Sequence, residues 1–252
     1  MAAPDGESQT LRRALDMVEA IASANAPVTV RSLSETTALP VPTAYRLLRT
    51  LVASGYVRQV PGRRYALGLT LMRLGKIAST SAEAAADPFL RELVEATGET
   101  SNFAVLDGDR VVYVAQAPSP HPMRMFTEIG HRVMLHSTGV GKAILSQMSD
   151  ERVVALAGRT GLPGMTDRTH TTVAALLEDL HVIRERGWAE DDGEQELGVR
   201  CVAAPVRMGQ LSAAVSVSGP DARVNDEAVA RFAPEVARVA AQLSEALSNV
   251  LT

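Results

Sequence analysis

Behind Ser8, the apolar residues Leu11, Ala14, Leu15, Val18, Ile21 and Ala22 recur at steps of three and four, which predicts an amphipathic helix from about Gln9 to Ala24. Pro27, Val28 and Thr29 break the rhythm, and Val30 to Thr37 predicts a short second helix with Leu33 inward. Leu39-Pro40 ends it, because the residue before a proline is pushed out of the helical region; the gap is the turn of a helix-turn-helix. From Pro42 the string PTAYRLLRTLVASGYV opens with a proline suited to a first helical turn and stops at Gly55. Ala44, Leu47, Leu48 and Leu51 make its buried stripe, leaving Thr43, Arg46, Arg49 and Thr50 outward. Tyr56 to Gln59, a Pro61-Gly62 turn and Arg63 to Leu67 then predict a two-stranded hairpin with arginines at its tip.

The pattern changes beyond residue 80. Ala82 to Thr97 reads as a helix interrupted near its start by Pro88 and closed by Gly98. Asn102 to Leu106 and Arg110 to Ala115 flank Asp107-Gly108-Asp109, a strong hairpin signal. Met123 to Glu128, Cys201 to Arg207 and Leu211 to Ser218 are further strands, and Gly139 to Gln147, Asp150 to Leu156, Thr171 to Arg186 and Asn225 to Asn249 are helices. Hairpin strands with flanking helices predict an antiparallel sheet in an α+β domain.

Composition adds limits. A chain of 252 residues with 46% apolar and 21% charged residues buries a real core, and two domains is the better prior. Its longest apolar stretches, such as Ala203 to Val206 and Ala213 to Val215, fall far short of the roughly 20 residues that cross a bilayer, so no membrane partner is expected. Met1 to Ser8 lacks the basic start and apolar run of a secretory signal and reads as a loose leader. The single cysteine, Cys201, excludes an internal disulfide framework and suits a reducing cytosol. The total charge of −4 hides an asymmetry: residues 1–80 carry ten basic and five acidic side chains, net +5, which leaves −9 for the remainder. A basic head on an acidic body points a polyanion such as double-stranded DNA at the head.

Hydroxyls and guanidinium groups on the face of the helix from Pro42 are those that reach phosphates and base edges in a major groove. The bland alternative is a small helical subdomain with a solvated arginine face. In the body, LHSTGVGKA (Leu135 to Ala143) puts glycines at a helix start, where free N–H groups attract an anion. An ATPase reading fails, because His136 replaces the first P-loop glycine and Ala143 stands where Ser or Thr must follow the lysine. The alternative there is a glycine-bearing helix packed closely on a sheet. Asp191 and Asp192 are either turn acids or partners for a ligand hydroxyl. Cys201, followed by valine and alanine, is more often an inert core thiol than a nucleophile. In SVSGP, Ser216 and Ser218 share one face of a strand and need partners, in backbone or in an anionic effector. The histidines, His121, His131, His136, His170 and His181, offer no ligand pair on one helix face, so no metal and no cofactor is predicted.

LRRALDMVEAIA from Leu11, TAYRLLRTLVASGYV from Thr43 and RRYALG leading into LTLMRLG from Leu69 resemble the winged helix of the IclR family of transcriptional regulators, and the body strings resemble its effector domain. The resemblance runs from about Gln9 to Leu247. It implies a winged helix-turn-helix over residues 8–68, a linker helix over 69–81, and over 82–252 a GAF-like domain that binds small metabolites, often organic acids, without transforming them. The DNA-contacting candidates are then Arg31, Val41, Pro42, Thr43, Tyr45, Arg46, Arg49, Thr50, Arg63 and Arg64. The effector pocket would draw on Gly139, Val140, Asp191, Val199, Cys201, Ser216 and Ser218, with Met123, Met125, Phe126 and Met134 as apolar lining. Two positions depart from the family: Met134 stands where proline is common, and Val140 is bulkier than the usual alanine. The expected protein is a cytoplasmic, ligand-responsive DNA-binding regulator, more a repressor than an activator, acting as a homodimer or dimer of dimers. The competing readings are an enzyme using Cys201, Asp191 and a histidine, and a protein-interaction module.

Overall fold

A computed structural model describes residues 8–24, 26–78, 81–125, 127–208 and 211–250. Its contacts divide the chain into two units, Met1–Ser79 and Thr80–Thr252.

In the first unit, α1 (Gln9–Ser23), α2 (Val30–Thr36) and α3 (Val41–Ala53) surround Met17, Ile21, Leu33, Ala44, Leu47 and Leu48. Ser8 and Thr29 cap the first two helices, their hydroxyls accepting from the N–H of Leu11 and Ser32. The inward face of α1 is only part of the stripe that periodicity picked out: Ile21 is buried and Ala14 and Val18 pack partly buried on the core, but Met17 joins them there, whereas Leu11 and Leu15 are 60% and 56% exposed. The turn after α2 runs through Ala38 in the left-handed region, φ 52°, held by the Ser34 hydroxyl donating to the Leu39 carbonyl. β2 (Val57–Val60) and β3 (Arg64–Leu67) form the expected hairpin, and β1 (Val28–Thr29), which looked like a break, pairs with β3 as a third strand. The hairpin's exit packs hard on the end of α3, since a side chain at Gly68 would meet the Gly55 carbonyl oxygen at 2.0 Å. α4 (Thr70–Ala78) follows.

The second unit is a six-stranded antiparallel sheet, ordered β6-β5-β4-β9-β8-β7, with helices on both faces. Its strands are β4 (Thr100–Asp107), β5 (Arg110–Ala117), β6 (Arg132–Val133), β7 (Ala189–Asp192), β8 (Val199–Met208) and β9 (Leu211–Pro220). One face packs on α5 (Ser81–Thr97) and α9 (Asp226–Val250), through Leu90, Leu93, Val215, Val217, Val236 and Leu243. The other packs on α6 (Gly139–Ser146), α7 (Asp150–Thr160) and α8 (Val173–Arg186), through Ile144, Leu145, Leu156, Leu176 and Leu180.

Three expectations are corrected here. Pro88 does not interrupt α5, because buried Ala86, Leu90 and Leu93 on either side hold the helix together against the loss of one hydrogen bond. Met123 to Glu128 holds no strand among its described residues; its carbonyls at Met123 and Met125 accept from Arg223 Nη2 and Thr100 Oγ1 instead of a neighbouring strand. Asp191 and Asp192, weighed as turn acids or ligand partners, lie on edge strand β7, paired to β8.

Candidate operator interface and effector site

The residues predicted for DNA sort themselves by engagement. On α3, Val41, Pro42, Tyr45, Arg46, Arg49 and Thr50 are exposed and Thr43 is half-buried, while Ala44, Leu47 and Leu48 anchor the other side in the core. Among the described residues no hydrogen bond or ion pair engages the guanidinium of Arg46 or Arg49, and the two line a shallow groove with Thr50, Ala53 and Ser54. Arg63 and Arg64 sit exposed at the hairpin turn, where Arg63 takes φ 55°. Arg31 is different: its Nε pairs with Glu35 at 3.3 Å along α2. A helix held by its apolar side, with uncommitted guanidinium groups on the other, presents donors that a polyanion can engage without first breaking an internal ion pair.

In the second unit the sheet register gathers the remaining candidates on the α6 face. Asp191 pairs with Cys201, Cys201 with Ser218, and Ser218 with Thr100, so four strands contribute one polar row. The next row runs Ala189, Ala203, Ser216, Asn102 and Gln116, in which Gln116 Nε2 donates to Asn102 Oδ1 at 3.1 Å. Alternation puts Val199, Cys201 and Ala203 on this side of β8. The start of α6 lies directly on it: a side chain at Gly139 would meet Cys201 Sγ at 2.8 Å. Thr138 caps α6 by accepting from Gly141 N–H at 3.2 Å, and Val140 is buried beside it. Among the described residues the buried Ser216 Oγ has no hydrogen-bond partner, an unmet requirement at the middle of the sheet.

The methionines do not converge. Met125 is half-buried near Thr100, Met123 is 72% exposed, and Met134 is half-buried with its sulfur accepting from Arg110. Phe126 lies outside the described residues. Tyr113, which sequence reasoning passed over, stands on β5 facing the same core cluster; burial, then Cys201 and Asp191, raise its phenol above the ordinary value. Burial, and then Asp191, push the Cys201 thiol up to about 12, so it stays protonated and is no nucleophile at neutral pH.

Sequence reasoning also missed a buried ionic cluster. Lys142, in the middle of the otherwise apolar GVGKAILS helix, is 2% exposed; Nζ donates to Asp179 Oδ2 of α8 at 2.7 Å and to Glu194 Oε1. His170 Nε2 stands 3.5 Å from Asp179 and 3.8 Å from Glu194 Oε2, an oxygen with no hydrogen-bond partner. His170, Asp179 and Glu194 are close enough together for a cation, but the Lys142 ammonium already supplies the positive charge between the two carboxylates. Burial opposes the Lys142 charge, yet Glu194 and Asp179 outweigh it and raise its pKa. Partial burial opposes ionisation of the half-buried Asp179, but His170 and Lys142 bring it down to about 2. A lone lysine amid apolar helix positions is the one signal that could have revealed this cluster.

Burial first, and then the Glu194 charge, raise the Asp191 carboxyl to about 7, against the Glu194 N–H and Lys142. Because this folded value stands above the ordinary 3.8, the contribution is favourable below that range and is lost as pH rises through about 7. Asp191→Asn keeps an oxygen for the same two N–H groups and should flatten that fall, making the variant the more stable protein by on the order of a few kcal/mol above neutrality. Urea midpoints at about pH 5 and about pH 8 check this; equal slopes for the two proteins would refute it.

A helix-turn-helix with a basic hairpin joined to an antiparallel α+β domain is the fold of a DNA-binding transcription regulator. Residues 10–61 match the IclR helix-turn-helix domain, and residues 76–245 match the bacterial transcriptional regulator IclR C-terminal domain. The chain belongs to the IclR family. It is 37% identical over 252 residues to the transcriptional repressor IclR of Escherichia coli (strain K12), covering 97% of this chain and 92% of that one. It is likewise 37% identical over 246 residues to the acetate operon repressor of Salmonella typhimurium, covering 95% and 90%. Among solved structures, a transcriptional regulator from Rhodococcus sp. RHA1 superposes with a TM-score of 0.80 at 30% identity, over 97% of this chain and all of that one. Among the described residues no helix is long and apolar enough to cross a membrane.

Proposed function

We propose that the protein is a cytoplasmic repressor that binds a paired half-site operator through α3 and the hairpin arginines, and is controlled by a small organic acid bound on the α6 face of the sheet. The observation that carries the DNA reading is the uncommitted Arg46 and Arg49 pair on a helix whose opposite side is locked in the core. Thr43, Tyr45 and Thr50 complete that face, with Val41 and Pro42 at the helix start and Arg63 and Arg64 on the wing; Arg31, tied to Glu35, is the weakest member of the set. Relatives at 37% identity are named repressors, which favours repression as the output. Exposed Leu11 and Leu15 on α1, and Leu69 and Met72 around the start of α4, offer apolar surface for a second copy, in keeping with a homodimer or dimer of dimers on a symmetric operator.

The effector reading rests on the unpartnered Ser216 hydroxyl beside Ser218, Cys201 and the first turn of α6. Gly139 and Val140 N–H groups suit a carboxylate, and Asp191 suits a hydroxyl or hydrated carbonyl at its other end. Val199 lies on the same side of β8 as Cys201, and the Met125 carbonyl accepts from Thr100 in the same row; Met123 and Met134 have no contact among the described residues that supports their place in the set.

A gel-shift titration with duplex from the region upstream of the protein's own gene tests the DNA reading. The affinity should fall steeply and linearly on a log scale with salt and exceed that for a scrambled duplex. Equal affinity for both duplexes would remove the operator claim. In parallel, one of acetate, pyruvate or benzoate should raise the melting temperature of the wild type and do so far less in Ser216→Ala.

A further inference from the structure

The turn that follows β7 is held from three directions. Within it, Asp191 Oδ1 accepts from the N–H of Glu194 at 2.7 Å and of Gln195 at 3.4 Å. From the segment before α8, Thr166 Oγ1 donates to the Gly193 carbonyl and Thr169 Oγ1 to the Glu194 carbonyl, both at 2.6 Å. From the approach to α6, Ser137 Oγ donates to Gln195 Oε1 at 2.7 Å. The Glu194 side chain then runs to Lys142 on α6, which also holds Asp179 on α8. No ion pair joins Lys142 to Asp191 among the described residues; Glu194 stands between them, its N–H on Asp191 and its carboxylate on the ammonium.

We propose that Lys142 is a positioning residue for the effector site: by holding Glu194, with Asp179 and His170 completing the cluster, it fixes the Asp191 turn and sets the charge that Asp191 presents to an incoming anion. This rests on the reading of the α6 face as the effector site. The charge count explains why the lysine matters. A buried and a half-buried carboxylate facing one ammonium leave a single negative charge, which a protonated His170 balances; its hydrogen bond to Asp179 favours that protonated form, against burial. With Lys142 removed, Glu194 would turn an uncompensated negative charge on Asp191 and hold its proton to higher pH. With Glu194 neutralised, Asp191 would ionise more easily, and an anion would meet a charged carboxylate.

The groups facing Asp191 are Glu194 on its own turn, Lys142 on α6, Cys201 on β8 and Tyr113 on β5, with Asp179 and His170 acting through the cluster. Cys201 and Tyr113 stay protonated near neutrality, so Glu194 and Lys142 govern the Asp191 midpoint.

The test reads that midpoint on the full-length free protein, as the pH above which the stability gained by Asp191→Asn over its parent stops growing in urea unfolding. The comparison is made in four backgrounds: wild type, Lys142→Met, Lys142→Arg and Glu194→Gln. We expect the midpoint to rise by about one pH unit in Lys142→Met, a tenfold gain in proton affinity, to return toward wild type in Lys142→Arg, and to fall in Glu194→Gln. A purely structural lysine would lower stability at every pH without moving the midpoint, and an unmoved midpoint overturns the proposal. Should Lys142→Met fail to fold, Glu194→Gln decides by itself: a downward shift supports the proposal and none overturns it. Failure of acetate, pyruvate and benzoate to stabilise the wild type would instead count against the effector reading, which is measured separately.

Discussion

Replacing Arg46 with alanine should weaken operator binding by about 1–3 kcal/mol, roughly a tenfold to hundredfold loss if the guanidinium reads a base edge. The fold should not notice. Arg46 is exposed, its guanidinium has no partner among the described residues, and Ala44, Leu47 and Leu48 hold the helix without it; a surface change of this kind costs no more than about 0.5 kcal/mol. Comparing the salt dependence of wild type and variant separates two roles. A phosphate contact would reduce the slope by about one and weaken all sequences alike, whereas a base contact would also relax preference at one operator position. Arg31→Ala is the internal comparison, because Arg31 is already shared with Glu35 and should matter less. Equal operator affinity for Arg46→Ala and wild type would show that α3 is not the reading helix.

The second large effect belongs to Gly141. A methyl group there would stand 2.2 Å from the Leu135 carbonyl oxygen and 2.5 Å from its Cα, both backbone atoms, so no side chain can swing away to relieve the contact. Gly141→Ala should cost about 3 kcal/mol or more, an overpacking penalty at the upper end of the usual range. For a protein of this size, that is a drop of about 6–12 °C in melting temperature. The displacement would also pull the Gly139 and Val140 N–H groups away from β8, so carboxylate binding should suffer beyond the stability loss. Gly158 is the control: it lies inside α7 with nothing within 4 Å of its missing side chain, and Gly158→Ala should stabilise by about 0.5–1 kcal/mol. A Gly141→Ala protein that melts with the wild type would mean that α6 is packed more loosely than described.

The contrast between these glycines shows where sequence reading reaches and where it stops. Both sit in helices and look alike along the chain; only the arrival of Leu135 over one of them separates a costly position from a tolerant one. The same holds for α1. Its stripe supplies Ile21, Ala14 and Val18 to the core, but Met17, outside the stripe, fills the core with them while Leu11 and Leu15 face outward, since periodicity identifies an apolar face without saying what covers it. β7 was hidden because its acids, Glu190, Asp191 and Asp192, speak for a turn, and it forms only because β8 offers an edge to pair with. Met123 to Glu128 carries strand-like residues, yet its carbonyls at Met123 and Met125 are claimed by Arg223 and Thr100.

What the chain determined by itself was local: the three helices of the head, with hydroxyl caps on the first two, the glycine turns of both hairpins, the basic outward face of α3, and the shared face of Ser216 and Ser218. Each follows from residues within a few positions of one another, where backbone sterics and hydrogen bonding act without help. Tertiary structure alone brought Asp191, Cys201, Ser218 and Thr100 into one row, and placed Lys142 between Asp179 and Glu194, 37 and 52 residues away. Burying a lysine is tolerable only when its partners arrive with it, and no spacing along a chain records which distant carboxylates will.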